Sequence, residues 1–414
     1  GVDDAEILAE HLWRAAPVGV GRRAAEALER AAEVALRRVS YAAAEESLIK
    51  AVQLRRATST SPGDQEAELA AICRLLEVAK ARRYFQGATG LDVIPRAKEL
   101  AERSGSRDVL LNLIWYEWAA LAVSCRGEEA GPLALSLKEL TDADPRPEIR
   151  AAGHEVYAVR CWGAGRISEA VEHLDIALDL LSQAPPPTDD FGLERQLVTN
   201  TFWIWHHAAV GDLSPEEAFA RFDAMIEASP DRFAVASICG FGATLAITLG
   251  RWDEAEHYVE IGNTADASSQ FAFWAGQFLM QRGIVEARRG LVDEGIAFFS
   301  EGKARYTGVG GRSALSAFEA TLGMSLAEQG RLDEASRLVA NARTELDTYG
   351  ERWNEPIVLM AEAVVAEGRG EHDVAADLLD RAAAVATSQG AHAIAARAGQ
   401  GRGTPVEARS PGSG

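Results

Sequence analysis

The chain has 414 residues, 47% of them hydrophobic, and a formal net charge of −20. So acidic a chain is a poor candidate for gripping nucleic-acid phosphates by itself, and no apolar run reaches the roughly 20 residues that span a bilayer. Its four cysteines, Cys73, Cys125, Cys161 and Cys239, lie far apart without a CxxC or Cys/His cluster, which excludes a disulfide framework or zinc module and reads as buried, reduced thiols of a cytoplasmic protein.

Abundant alanine and few β-branched runs favour helix throughout. The chain begins at Gly1 rather than Met, which reads as a cut inside a longer protein or a tag scar. Residues 1–57 are expected to be a helical segment joining an upstream module. Within it, residues 40–51 look like the second helix of a hairpin whose turn glycine is lost. From 58 to 398 a turn glycine recurs, at Gly87, Gly127, Gly165, Gly211, Gly250, Gly290, Gly330 and Gly370, the last four spaced 40 apart. Motifs such as GRISEA (165–170), GRWDEA (250–255) and GRLDEA (330–335) mark these turns. A fixed period in this range signals a helical solenoid. Loops are expected at 58–64, 141–147 and 184–190, the last holding Pro185, Pro186 and Pro187. Pro132 should bend or delay the helix after Gly127. The segment 399–414 has too little apolar content to pack and is expected to be disordered.

Columns counted from each glycine sharpen the pattern. Ala158, Ala243, Gly283, Gly323 and Ala363 stand seven before it; Ala170, Ala255, Gly295, Ala335 and Ala375 stand five after. Bulky Leu174, Val259, Phe299, Val339 and Leu379 stand nine after, and small Ala177, Gly262, Gly302, Ala342 and Ala382 twelve after. Small residues let two helices approach closely, and the bulky one fills the space between units. Each glycine ends a first helix in a left-handed cap. The acids that follow, such as Asp253-Glu254 and Asp333-Glu334, are expected to cap the second helix.

These columns resemble the tetratricopeptide (TPR) repeat, usually about 34 residues long, with about six more here. The resemblance implies an all-α, right-handed superhelical solenoid of antiparallel helix pairs with a period near 40 residues. Residues 1–57 (ILAEHLWRAAPVG…AAEESLIKAVQLRRA) resemble the junction that follows the nucleotide-binding module of large bacterial signal-transduction ATPases, including LuxR-type and SARP-type transcriptional regulators. That resemblance implies a sensor region acting on an upstream ATPase module, without ATPase or DNA-binding residues of its own: the chain has no GxxxxGK[ST] loop and no basic helix-turn-helix.

In the TPR family the first helices line a concave groove. The matching inward positions are Glu117, Trp118, Glu155, Trp205, Gln277, Met280, Gln281 and Arg288, a mixture suited to an extended peptide, a protein segment or a small inducer. The aromatic residues around Trp115, Trp205 and Trp274 serve equally well as core packing. His206 and His207 point about 100° apart on a helix, so together they make a poor metal site. No nucleophile–base pairing and no GxSxG turn stands out. The chain is therefore read as non-catalytic, with no cofactor, metal, membrane or direct nucleic-acid partner. A free-standing peptide-sensing or adaptor TPR protein is the alternative, and an enzyme using the His206 region a more distant one.

Overall fold

The computed structural model describes residues 2–84, 88–186 and 190–400. Among these residues the chain is all-α, with twenty α helices and no strand. The helix α1 (Val2–Ala15) precedes nine hairpins. They are α2 (Gly21–Arg37) with α3 (Tyr41–Ala57), α4 (Pro62–Arg83) with α5 (Ala88–Ser104), α6 (Arg107–Val123) with α7 (Gly127–Asp142), and α8 (Pro147–Gly163) with α9 (Ile167–Gln183). Then come α10 (Asp190–Val210) with α11 (Pro215–Ala228), α12 (Arg232–Leu249) with α13 (Trp252–Ala265), and α14 (Ala272–Arg288) with α15 (Val292–Gly308). The last two are α16 (Leu315–Glu328) with α17 (Leu332–Tyr349) and α18 (Glu355–Gly368) with α19 (His372–Gln389), followed by α20 (His392–Gln400).

The turn residues explain the hairpins. Gly165, Gly211, Gly250, Gly290, Gly330 and Gly370 all have φ between 75° and 93°, the left-handed region that glycine enters without a Cβ penalty. Three earlier turns differ. Val39 (φ 56°) turns α2 into α3, where a lost glycine was expected, and Tyr84 (φ 49°) ends α4. At the α6–α7 turn the left-handed residue is Cys125 (φ 55°), and Gly127 is the first residue of α7. Gly87 and Pro187 lie outside the described residues, as do residues 401–414 of the expected tail; Gly399 and Gln400 end α20. The helix α7 runs through Pro132, and α5 likewise contains Pro95.

The acids after the turns work differently from the expectation. Asp253, Glu254, Asp333 and Glu334 lie in the first turns of α13 and α17, where the helix dipole favours them, but α17 has no side-chain cap. Instead, at the three turns where an arginine follows the glycine, it pairs with the acid three residues on: Arg166–Glu169, Arg251–Glu254 and Arg331–Glu334, each at 2.5 Å. Two of them also reach the preceding hairpin, Arg251 to Glu216 and Arg331 to Asp293.

The small columns are buried at helix crossings, within a hairpin at Gly283 and Gly295 and between hairpins at Gly262, where a Cβ would overlap the Phe278 ring. At the α14–α15 crossing, a Cβ on Gly283 would stand 2.5 Å from the Gly295 carbonyl oxygen, and one on Gly295 would stand 2.6 Å from that of Gly283. Here the backbones themselves touch. All four thiols are free; Cys161 and Cys239 are buried, whereas Cys73 and Cys125 are only half-buried. The helix α12 is long and apolar enough to cross a membrane, but 72% of it lies inside the protein.

The chain divides into two compact units. The first comprises Gly1–Leu133, Asn263–Gln277 and Ala304–Arg312; the second comprises Ala134–Gly262, Phe278–Lys303 and Ser313–Gly414. In the first, Tyr84 stacks on Phe273 (4.7 Å between ring centres) and meets Trp274 edge-on at 4.8 Å. Its buried acids are paired: Glu68 with Arg96 through two 2.9 Å bonds, and Glu45 with Arg82 and Arg83. In the second, the last hairpin folds back on the first. A Cβ on Gly165 would meet the Gln389 amide at 2.9 Å, and one on Gly390 would overlap Ser168.

Candidate functional site

That fold-back gathers aromatic side chains from α8, α10, α12 and the short 3-10 turn Arg352–Asn354. Trp162 stacks on Trp353 at 4.8 Å, and Trp205 meets both edge-on, at 5.3 Å from Trp162 and 5.0 Å from Trp353. His206 lies 5.5 Å from Trp162, and Phe202 and Phe241 extend the cluster. Trp353 is held by its neighbours: the Glu351 carboxylate accepts bonds from Ala314 N–H (2.8 Å), the Ser313 hydroxyl (2.9 Å) and the Asn354 amide (2.8 Å). Burial pushes the Glu351 carboxyl up, against the pull of these donors.

His206 is fully buried. Its Nδ1 lies 2.6 Å from the Phe202 carbonyl oxygen, so Nδ1 carries the proton and donates, leaving Nε2 with a bare lone pair. Desolvation pulls its pKa down to about 4, which keeps the ring neutral. His206 Nε2 and the indole N–H groups of Trp162 and Trp205 have no hydrogen-bond partner among the described protein atoms. The cluster is thus neutral and apolar, with the His206 acceptor and indole donors left for ordered water or a neutral polar group.

His207 takes the opposite direction. Its ring lies 4.2 Å from that of Trp203, and both reach Asp175: Trp203 Nε1 donates at 2.7 Å and His207 Nε2 lies at 3.0 Å. Arg221 covers Trp203 at 5.1 Å. His154 meets His173, their Nδ1 atoms 2.9 Å apart, and desolvation holds both imidazoles below their usual range. Among the described residues no group of three His, Cys, Asp or Glu side chains is arranged to hold a metal ion.

The eight residues selected from the sequence divide between the units. In the first, Glu117 accepts from Lys98 Nζ at 2.6 Å and is half-buried, while Trp118 is buried 6.4 Å from Trp115. Gln277, also buried, closes one segment of that unit. In the second, Glu155 is buried and accepts from the Thr199 hydroxyl at 2.6 Å. Gln281 is buried with its amide donating to Gly240 O and Thr244 Oγ1, each at 3.0 Å. Met280 is fully buried, and Trp205 belongs to the aromatic cluster. Arg288 is half-exposed over Trp252 and paired with Glu328. Six of the eight are therefore covered by the chain's own side chains.

The columns did not select Trp162, His206 and Trp353, which complete the cluster, nor Arg397 of α20. Arg397 donates to the Ile247 and Thr248 carbonyls at the end of α12.

No protein-family model and no curated protein sequence matches this chain. Among solved structures it is similar to a chain of the APC/C hetero-tetramer Cut9–Hcn1, at 14% identity and TM-score 0.43, over 92% of this chain and 78% of that one. It is also similar to yeast Tom70, at 13% identity and TM-score 0.36, over 97% of this chain and 89% of that one. The helices and turns of the chain itself define its class: an all-α array of helical hairpins.

Proposed function

We propose that this chain is a non-catalytic TPR-type recognition array that binds a protein segment or a small inducer. In this reading it is the cytoplasmic sensor region of a bacterial transcriptional regulator whose ATPase module lies upstream. The observation that carries the recognition part is the run of hairpins closed by left-handed glycines at Gly165, Gly211, Gly250, Gly290, Gly330 and Gly370. Such an array presents side chains from many units to one partner. The regulator context rests on the resemblance of residues 1–57 to the junction after an ATPase module. Binding would favour one arrangement of the hairpins and so restrain or release that module.

The parent gene tests the context. A nucleotide-binding module encoded upstream of Gly1, with ATPase activity that changes when this region is removed, supports it. A parent gene without such a module overturns the regulator reading in favour of a free-standing peptide-sensing or adaptor protein.

A further inference from the structure

The helix α20 carries the sequence HAIAARAGQ after Ala391. Ala391, Ile394 and Ala398 are fully buried and recur at the spacing of one helix face. The helix packs against its chain neighbour α19 and against α10, α12 and α18. Arg397 crosses to the end of α12, where its Nη1 donates to Ile247 O at 3.2 Å and to Thr248 O at 2.5 Å. Gly250 ends α12 at φ 75°, and even a Cβ there would stop 3.6 Å from Arg397 Nε. The contact joins residues 149 and 150 positions apart.

Two features separate this contact from ordinary packing. The last carbonyls of a helix carry the negative end of its dipole; Ile247 O also accepts from Gly250 N–H at 3.1 Å, and with Thr248 O it makes the end of α12 an acceptor for a cation. Among the described residues, however, no carboxylate pairs with Arg397; burial and the nearby Arg288 pull its pKa down to about 10. A half-buried charge held only by carbonyls repays little of its desolvation. The nine-residue helix hangs on a left-handed glycine, Gly390. It is the kind of element that opens locally before the rest.

We propose that the face of α10 and α12 beneath α20 is the partner-binding surface of this chain. Its partner is a short alanine-rich helix that presents one arginine to the end of α12, and α20 occupies the surface until such a helix displaces it. This deepens the recognition reading above and rests on it.

The test uses the full chain and, as probe, a fluorescein-labelled peptide of residues 391–400. Wild-type chain should leave the peptide's fluorescence anisotropy unchanged. Arg397→Ala should speed amide exchange in α20 and bind the peptide at least tenfold more tightly than wild type does. The same substitution in the peptide should weaken that binding at least tenfold. Ile394→Ala, which loosens α20 without removing the charge, should also admit the peptide; it decides the matter if Arg397→Ala fails to fold. The proposal is overturned if α20 exchanges freely while the peptide is ignored, or if wild type and variants bind it equally. It is also overturned if α20 is exchanged between two copies of the chain. A chain that recaptures its own peptide yet binds no other alanine-rich helix bearing an arginine also overturns it, and either failure leaves recognition elsewhere on the array intact.

Discussion

Gly283→Ala is the sharpest test of how the hairpins pack. An added Cβ would meet Gly295 O at 2.5 Å, Phe299 N at 2.7 Å and Phe299 Cβ at 2.9 Å. The first contact falls 0.9 Å short of the 3.4 Å at which ordinary contact begins. Two of the three atoms are backbone, so no rotamer change relieves them, and α14 and α15 must part. Overpacking of this kind costs about 1–3 kcal/mol, and rigid backbone contacts place it near the top of that range. Replacing a helical glycine by alanine returns about 1 kcal/mol. The expected net loss is about 2 kcal/mol. Urea unfolding followed by circular dichroism measures it as a lower midpoint with unchanged slope. Gly163→Ala is the control: nothing lies within 4 Å of its Cβ, so it should be neutral or gain up to about 1 kcal/mol. A Gly283→Ala chain as stable as wild type would refute the close crossing of α14 and α15.

The pH dependence follows from His206, which titrates near 6.5 when unfolded and about 4 when folded. Between these values the unfolded chain takes up a proton that the folded chain refuses, so stability should fall as pH drops from 6.5 towards 4. The loss from this group is on the order of 3 kcal/mol. His154, also pulled down to about 4, acts in the same direction, so His206→Gln should narrow, not abolish, the gap between urea midpoints at pH 7 and pH 5; an unchanged gap would count against a buried neutral His206. Arg96→Met should cost about 3–5 kcal/mol by stranding the fully buried Glu68 carboxylate, whereas Arg331→Ala, from a partly exposed pair, should cost under about 1 kcal/mol. The same urea midpoints compare them, and equal losses would contradict the difference in burial. Trp353→Ala should cost about 3–5 kcal/mol and speed amide exchange in α8 and α10, since its ring joins Trp162 and Trp205; protection unchanged in both helices would show that it does not fasten them.

The hairpins were legible because their turns ask for something only a few residues supply. A left-handed cap favours glycine, and a helix crossing with touching backbones demands glycine or alanine, so both leave columns in the sequence. The reading missed the turn residue where another side chain accepts the left-handed strain, as Tyr84 and Cys125 do, whereas at Val39 it expected the glycine to be lost. It also passed over the Arg–Glu pairs, because an arginine after the turn looks like any exposed charge until its partners are seen on two hairpins.

The site was much less legible, for a different reason. A repeat pattern encodes how each unit meets its neighbour; it carries no information about units far apart in sequence. Within the second unit the decisive contacts are of that distant kind: Trp162 with Trp353, Gly165 with Gln389, and Arg397 with Thr248. The inward positions picked from the columns do lie on first helices, but there the chain covers six of the eight with its own side chains. A partner that reaches Trp205 or Gln281 must first open this packing, whereas one that engages the end of α12 has only α20 to displace. That difference makes α20, rather than the aromatic cluster, the first place to look for the partner's entry.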